Sequence, residues 1–250
     1  MEFGRIFTSV LDMGEIMLTS GAEVNRVEDT LQRMLTAYGC SRVDVFTITS
    51  SIVVTVRTGE NEAHTQTRRI VEYRTDMQKL EMCNALSRRV CAKPLSASEL
   101  ERQVESIRSQ QNYPGWVRFL TYGAISGSFS VFFGGNAMDG LAALLCGFIL
   151  FFSIELCTGL KLQRIIQTIL CSAVMGLSAV FFTKIGIGAS VDKIIIGNIM
   201  LLIPGIAFTT SVRDMISGDT ISGLLGLCEA IIRALAIAVG FALVLWGLPV

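Results

Sequence analysis

Eight residues in the C-terminal part of the chain are of types that long apolar segments do not require: Asn198, Pro204, Gly205, Arg213, Asp214, Asp219, Glu229 and Arg233. Pro204 removes a backbone N–H and frees a carbonyl, and Gly205 permits close approach of another backbone. Helices broken near the middle of a bilayer bind small polar solutes through such freed groups and through their dipole ends. Asn198 adds an amide just before the break. Arg213 can hold a carboxylate through two parallel N–H bonds; the plainer alternative is that it only pairs with Asp214 or Asp219. Asp214, Asp219 and Glu229 are candidates to carry a coupling proton. Glu229 and Arg233 stand at i and i+4 in the last apolar block, where they can pair on one helix face. Ionisable residues at membrane depth are functional candidates by default. The alternatives are an ion pair that only fixes helix packing, or an Arg233 that snorkels to the surface. Pro-Gly alone would be an ordinary kink; the cluster around it is the more specific signal.

The chain that must position these residues divides sharply. It has 250 residues, and 51% are hydrophobic. Residues 1–116 hold 14 of the 21 Lys+Arg and 15 of the 21 Asp+Glu. Residues 117–250 hold the rest, mostly between apolar blocks. The first part reads as a soluble α+β domain and the second as a helical membrane domain. Net charge is zero and no basic tract exists, so nucleic-acid binding has no electrostatic support. Seven cysteines without a C-x-x-C pair, and a single histidine, His64, give no zinc pattern; free thiols in a reducing compartment fit best. No cofactor motif and no P-loop is present. No cleavable signal is visible at the N-terminus.

In the soluble part the expected order is αα-βββ-αα. Residues 3–18 form an amphipathic helix. Ser20 to Glu23 fits a capping box for the next helix, whose stripe is Val24, Val27, Leu31, Met34, Leu35 and Tyr38, and Gly39 stops it. The period then changes to that of strands over 42–49, 52–57 and 62–69, with a turn at Thr58-Gly59-Glu60-Asn61. Thr75 is placed to cap a third helix, and Ser98 to Glu101 to open a fourth. His64 reads as a polar strand-edge residue, and the pairs Arg68-Arg69 and Arg88-Arg89 as solvated faces.

In the membrane part Trp116 suits the water interface. Five spans are expected, at 117–135, 138–156, 165–183, 193–212 and 224–247, each near the roughly 20 residues that cross a bilayer. Arginines and lysines before the first span, between the second and third, and between the fourth and fifth put the soluble domain in the cytoplasm, although Lys184 and Lys193 dissent. Gly123 and Gly127 allow close helix packing. Asp139 and Glu155 bracket the second span as hydrated interface residues.

Gly21-Ala22-Glu23-x-x-Arg26-Val27-Glu28-Asp29 with Ala37-Tyr38-Gly39, followed by Pro204-Gly205…Arg213-Asp214…Gly218-Asp219…Ser222-Gly223, resembles the threonine/serine exporter (ThrE-like) family across nearly the whole chain. Full-length members of that family carry a further block of about five spans. The resemblance is therefore to the larger subunit of a split form, which works with a small multi-span membrane partner. It implies export of a small carboxylate-bearing metabolite, succinate-like in split relatives and threonine- or serine-like in full-length ones. It further implies a multi-pass protein of the plasma (inner) membrane. Soluble domains of the family have been compared with hydrolases, but no nucleophile–base pair supports an enzyme here.

The expectation is a secondary-active exporter subunit, with the eight residues named above as its substrate path. The alternative is a membrane-anchored enzyme or regulator whose activity lies in the soluble domain. A homo-oligomer without a partner is a third possibility.

Overall fold

The computed structural model describes residues 2–59, 63–71, 73–111 and 113–247. Its elements run α1 (Glu2–Thr19), α2 (Val24–Ala37), β1 (Arg42–Ile48), β2 (Ser51–Arg57), β3 (Ala63–Arg69), α3 (Met77–Ala92), α4 (Ala97–Arg108), α5 (Gly115–Phe132), α6 (Ala137–Gly159), α7 (Arg164–Lys184), α8 (Val191–Leu202), α9 (Gly205–Ile216) and α10 (Thr220–Gly247). The αα-βββ-αα order of the soluble part is as the sequence predicts. The expected turn residues Glu60 and Asn61, and Glu62 at the expected start of the third strand, lie outside the described residues.

Two units form. One comprises Met1–Gln111 with Gly205–Cys228; the other comprises Asn112–Pro204 with Glu229–Val250. The division departs from a simple cut after residue 116. α9 and the first turns of α10 fold with the soluble elements, because Arg213 and Asp214 have their partners there.

In the first unit the apolar stripe of α2 is buried as its spacing requires: Val27, Leu31, Met34 and Leu35 are fully enclosed. They meet Phe7, Val10, Leu11 and Met17 of α1, Leu86 and Val90 of α3, and Leu100 and Val104 of α4. The sheet is antiparallel in the order β1-β2-β3. Ile52, Val54 and Val56 of the central strand alternate onto the core face, opposite Thr47, Val45 and Val43 of β1. Gly39 ends α2 at φ +87°, a conformation open to glycine at little strain.

Two expected caps move. α3 is capped by Asp76, whose carboxylate accepts from Lys79 N at 3.0 Å, and not by Thr75. α4 begins two residues early, at Ser96 and not at Ser98. A helix takes as its cap whichever short polar side chain reaches the third N–H inward, and in each case a neighbour reaches it first.

In the second unit α5, α6 and α8 pack through small residues. Gly123, Ser126, Gly127 and Ser130 form the buried stripe of α5. A methyl added at Gly147 would stand 2.6 Å from the Tyr122 carbonyl oxygen, and one at Gly197 2.4 Å from that of Ser126. Backbones this close bind by dispersion and need glycine at the crossing.

Among the described residues α6, α7 and α10 are each long and apolar enough to cross a bilayer, and α8 with α9 makes a fourth if the two count as one broken span. Of the five expected spans, three are met by single helices of this kind and a fourth by the broken pair. α5, at 18 residues, is diluted by Arg118 and its glycines and serines. The predicted 193–212 span is two helices of 12 residues each.

Candidate functional site

The eight candidate residues do not gather in one unit. Gly205, Arg213, Asp214 and Asp219 fall in the first; Asn198, Pro204, Glu229 and Arg233 fall in the second. The boundary runs between Pro204 and Gly205.

In the first unit the polar residues are brought against the start of α2. The sequence predicts a Ser20–Glu23 capping box there, but the N-cap is Glu23 itself, and its side chain makes no cap bond. Glu23 Oε1 instead meets Arg213 Nη1 at 2.8 Å. The first N–H of α2, on Val24, donates to Asp214 Oδ1 at 3.1 Å. Asp214 is buried, at 5% exposure. A carboxylate at a helix N-terminus satisfies an orphan donor and sits at the positive end of the dipole. α9 thus supplies from far along the chain the cap that α2 lacks locally. Arg213 answers neither of the two partners considered from the sequence, Asp214 or Asp219, and is held by Glu23.

Asp219 is a joint. Its N–H donates to the Asp214 carbonyl at 2.9 Å and that of Gly218 to the Met215 carbonyl at 3.2 Å. Gly218 has φ +102°. These two bonds and the left-handed glycine form a Schellman end to α9. The Asp219 carbonyl then accepts from Gly223 N at 2.9 Å, opening α10. α9 and α10 close tightly: a methyl at Gly223 would lie 2.6 Å from the Ser211 carbonyl oxygen, and one at Gly226 2.3 Å from Ser211 Oγ.

Glu28, one turn into α2, accepts from Thr47 N at 2.6 Å and so ties α2 to β1. Burial pushes its carboxyl above the ordinary value, the bond from Thr47 opposes this, and the charge of Asp219 adds to it. The contacts of Glu23 and Glu28 were not foreseen, because one fits a capping box and the other a polar helix face. The available signal was the clustering of both in the motif that carries the family resemblance.

Arg213 keeps most of its guanidinium free. Its side chain is 62% exposed against 22% for Glu23, and only Nη1 is in contact with the carboxylate, whereas a guanidinium carries five N–H donors. The arrangement therefore already recognises one carboxylate and has donors left for another.

In the second unit Asn198 is buried at 1% exposure. Its Nδ2 donates back to the Ile194 carbonyl at 2.8 Å, and its Oδ1 has no partner. An acceptor left unpaired in an apolar interior is destabilising by about 1–3 kcal/mol, so Asn198 is a poor choice for packing alone. Glu229 and Arg233 share a face of α10 but do not come within ion-pair distance of each other; Glu229 is exposed and Arg233 half-buried. At Gly205, the first residue of its segment of the first unit, an added methyl would meet nothing within 4 Å among the described residues.

Two residues read as interface carboxylates have structural tasks. Asp139, at 1% exposure, forms a capping box with Asn136 and accepts from Ala189 N at 2.6 Å and Ser190 N at 2.9 Å. Glu155 pairs with Arg118 at 2.6 Å. His64 stands on the edge strand β3, with Phe3 6.1 Å away. Arg68 bonds Asp12 at 2.9 Å and so is more than a solvated face. The seven cysteines are free thiols, and burial pushes Cys83 up to about 12. Among the described residues no three His, Cys, Asp or Glu side chains cluster as a metal site.

A charged α+β part, apolar helices of bilayer length, and a helix interrupted at Pro204 make up the build of a multi-helix membrane protein. The chain belongs to the threonine/serine exporter family, ThrE, whose family model matches residues 8–246. Comparison with curated proteins and with solved structures found no match.

Proposed function

We propose that this chain is a subunit of a secondary-active exporter of small carboxylate-bearing metabolites, with Arg213 as the group that receives the substrate carboxylate. The carrying observation is the Arg213–Glu23 contact: an exposed guanidinium that meets a carboxylate through one of its nitrogens. A substrate carboxylate can add to the free donors or displace Glu23. Asn198, with its unpaired Oδ1, and the backbone freed beside Pro204-Gly205 supply polar groups for the path. Asp214, Asp219 and Glu229 are the candidates for a coupling proton, and Arg233 for balancing charge in the last helix.

The substrate is threonine- or serine-like by family and succinate-like by resemblance to the split form. In that form a small multi-span partner subunit completes the pathway. The membrane is the plasma membrane, with the elements from α1 to α4 in the cytoplasm, and with the broken α8–α9 pair and α5 as spans beside α6, α7 and α10. A metabolite efflux assay offering succinate, threonine and serine, in cells with and without the partner, tests the reading. Arg213→Ala should abolish efflux while leaving the protein inserted in the membrane; normal efflux from that variant would sink the assignment.

A further inference from the structure

The soluble unit holds a polar cleft that the transport reading leaves unused. It has a volume of about 570 Å³ and lies between α2 and α3, with Ser217 of the α9–α10 turn on its rim. Small-molecule sites typically fall at about 300–1,000 Å³.

The charges in this cleft do not balance. Arg26, Arg33 and Arg88 line it, and the acids are Glu23 and Asp29. Asp29 is taken by Arg33 at 2.7 Å, and Glu23 by Arg213. Arg26 donates to the neutral amide oxygen of Asn84 at 3.3 Å. Arg88 has neither an ion pair nor a hydrogen bond among the described residues. Asn84 and Arg88 are one turn apart on α3, so the Arg26–Asn84 bond brings both arginines to the same stretch of the cleft. Two guanidinium groups from facing helices therefore share a concave surface, and the acids beside them are already committed. Asn84 and Ser87 are at hand as neutral hydrogen-bonding groups.

We propose that this cleft binds a small dianion, a dicarboxylate or a phosphate-bearing metabolite, between Arg26 and Arg88. Guanidinium groups suit both head groups, because their planar forks match two oxygens at once. Filling the cleft places an anion beside Glu23, the residue that holds Arg213. That link rests on the transport reading; the binding itself does not.

The test is calorimetric titration of the full-length protein in nanodiscs, at fixed ionic strength, with succinate and separately with inorganic phosphate. Saturable binding of at least one probe is expected. It should weaken about tenfold or more in both Arg26→Gln and Arg88→Gln, and survive in Arg213→Ala, weakened less than in either because that change only frees the charge of Glu23. Binding of succinate alone assigns the dicarboxylate, and binding of phosphate alone the phosphate-bearing ligand. No saturable binding of either probe, or an affinity unchanged in both glutamine variants, overturns the proposal. So does binding that survives in the glutamine variants and is lost in Arg213→Ala, which would place the anion at Arg213 and support the transport reading. Efflux that survives Arg213→Ala, with the cleft still binding, sinks the transport reading alone.

Discussion

Arg213 Nη1 lies 2.8 Å from Glu23 Oε1, so the cation near the end of α9 is held by a carboxylate at the start of α2. The pair is more than half exposed on the arginine side, and such pairs contribute about 0–1 kcal/mol to stability. Removing either partner should therefore change thermal unfolding little. Export should separate them. Glu23→Gln leaves the guanidinium in place and removes its competitor, so efflux persists with an equal or lower apparent KM. Arg213→Ala removes the receiving group, and efflux is lost. Efflux assays of both variants, normalised to membrane-inserted protein, make the comparison. Equal losses from the two would mean that the pair is only structural.

Asp214 acts differently, because it is buried and caps a helix. Its carboxylate takes the Val24 N–H at 3.1 Å. Asp214→Ala leaves that donor without its partner and should destabilise the protein by about 1–2 kcal/mol. Asp214→Asn keeps an acceptor oxygen and should lose less. Thermal unfolding of the purified full-length variants distinguishes the two, and an Asn variant as weak as the Ala one would refute the capping role.

Glu28 gives the soluble unit a pH dependence. Burial raises its carboxyl above the 4.5 of a free glutamate. A group raised on folding adds stability that is fully present below its unfolded value and is lost as pH rises through its folded value. Wild type should therefore lose stability relative to Glu28→Gln as pH rises from 4.5 towards neutrality, since glutamine still accepts from Thr47 N but cannot ionise. Melting temperatures of both proteins across that range measure it. A difference that stays constant, or moves the other way, removes Glu28 as the source.

Periodicity made the soluble unit legible. The Val24 to Leu35 stripe, the change to strand period at Arg42 and the left-handed Gly39 all follow from local rules. Local rules also produced the main errors. Ser20 to Glu23 satisfies a capping box by spacing, yet Asp214 caps α2 from near the other end of the chain. No window of sequence contains both residues. The break expected at Pro204-Gly205 within the 193–212 block is present, with α8 ending at Leu202 and α9 starting at Gly205. Arg213 stood out in the sequence by its type and setting, but its partner did not, because Glu23 already had a local explanation.

Two glycines that look alike in sequence should behave oppositely. Gly197 lies where α8 meets α5, and a methyl there would stand 2.4 Å from the Ser126 carbonyl oxygen and 3.0 Å from Ser130 Cβ. Backbone atoms cannot rotate away as a side chain does, so the two helices must separate. Gly197→Ala should destabilise the protein by about 1–3 kcal/mol, read as a lower unfolding temperature. Gly205 meets nothing within 4 Å, so alanine fits there and, at the start of α9, suits the helix better than glycine. Gly205→Ala should unfold at or slightly above the wild-type temperature. If the open space beside Gly205 admits the transported solute, that variant will be stable and yet export slowly. A stable variant with normal efflux would show that the solute passes elsewhere.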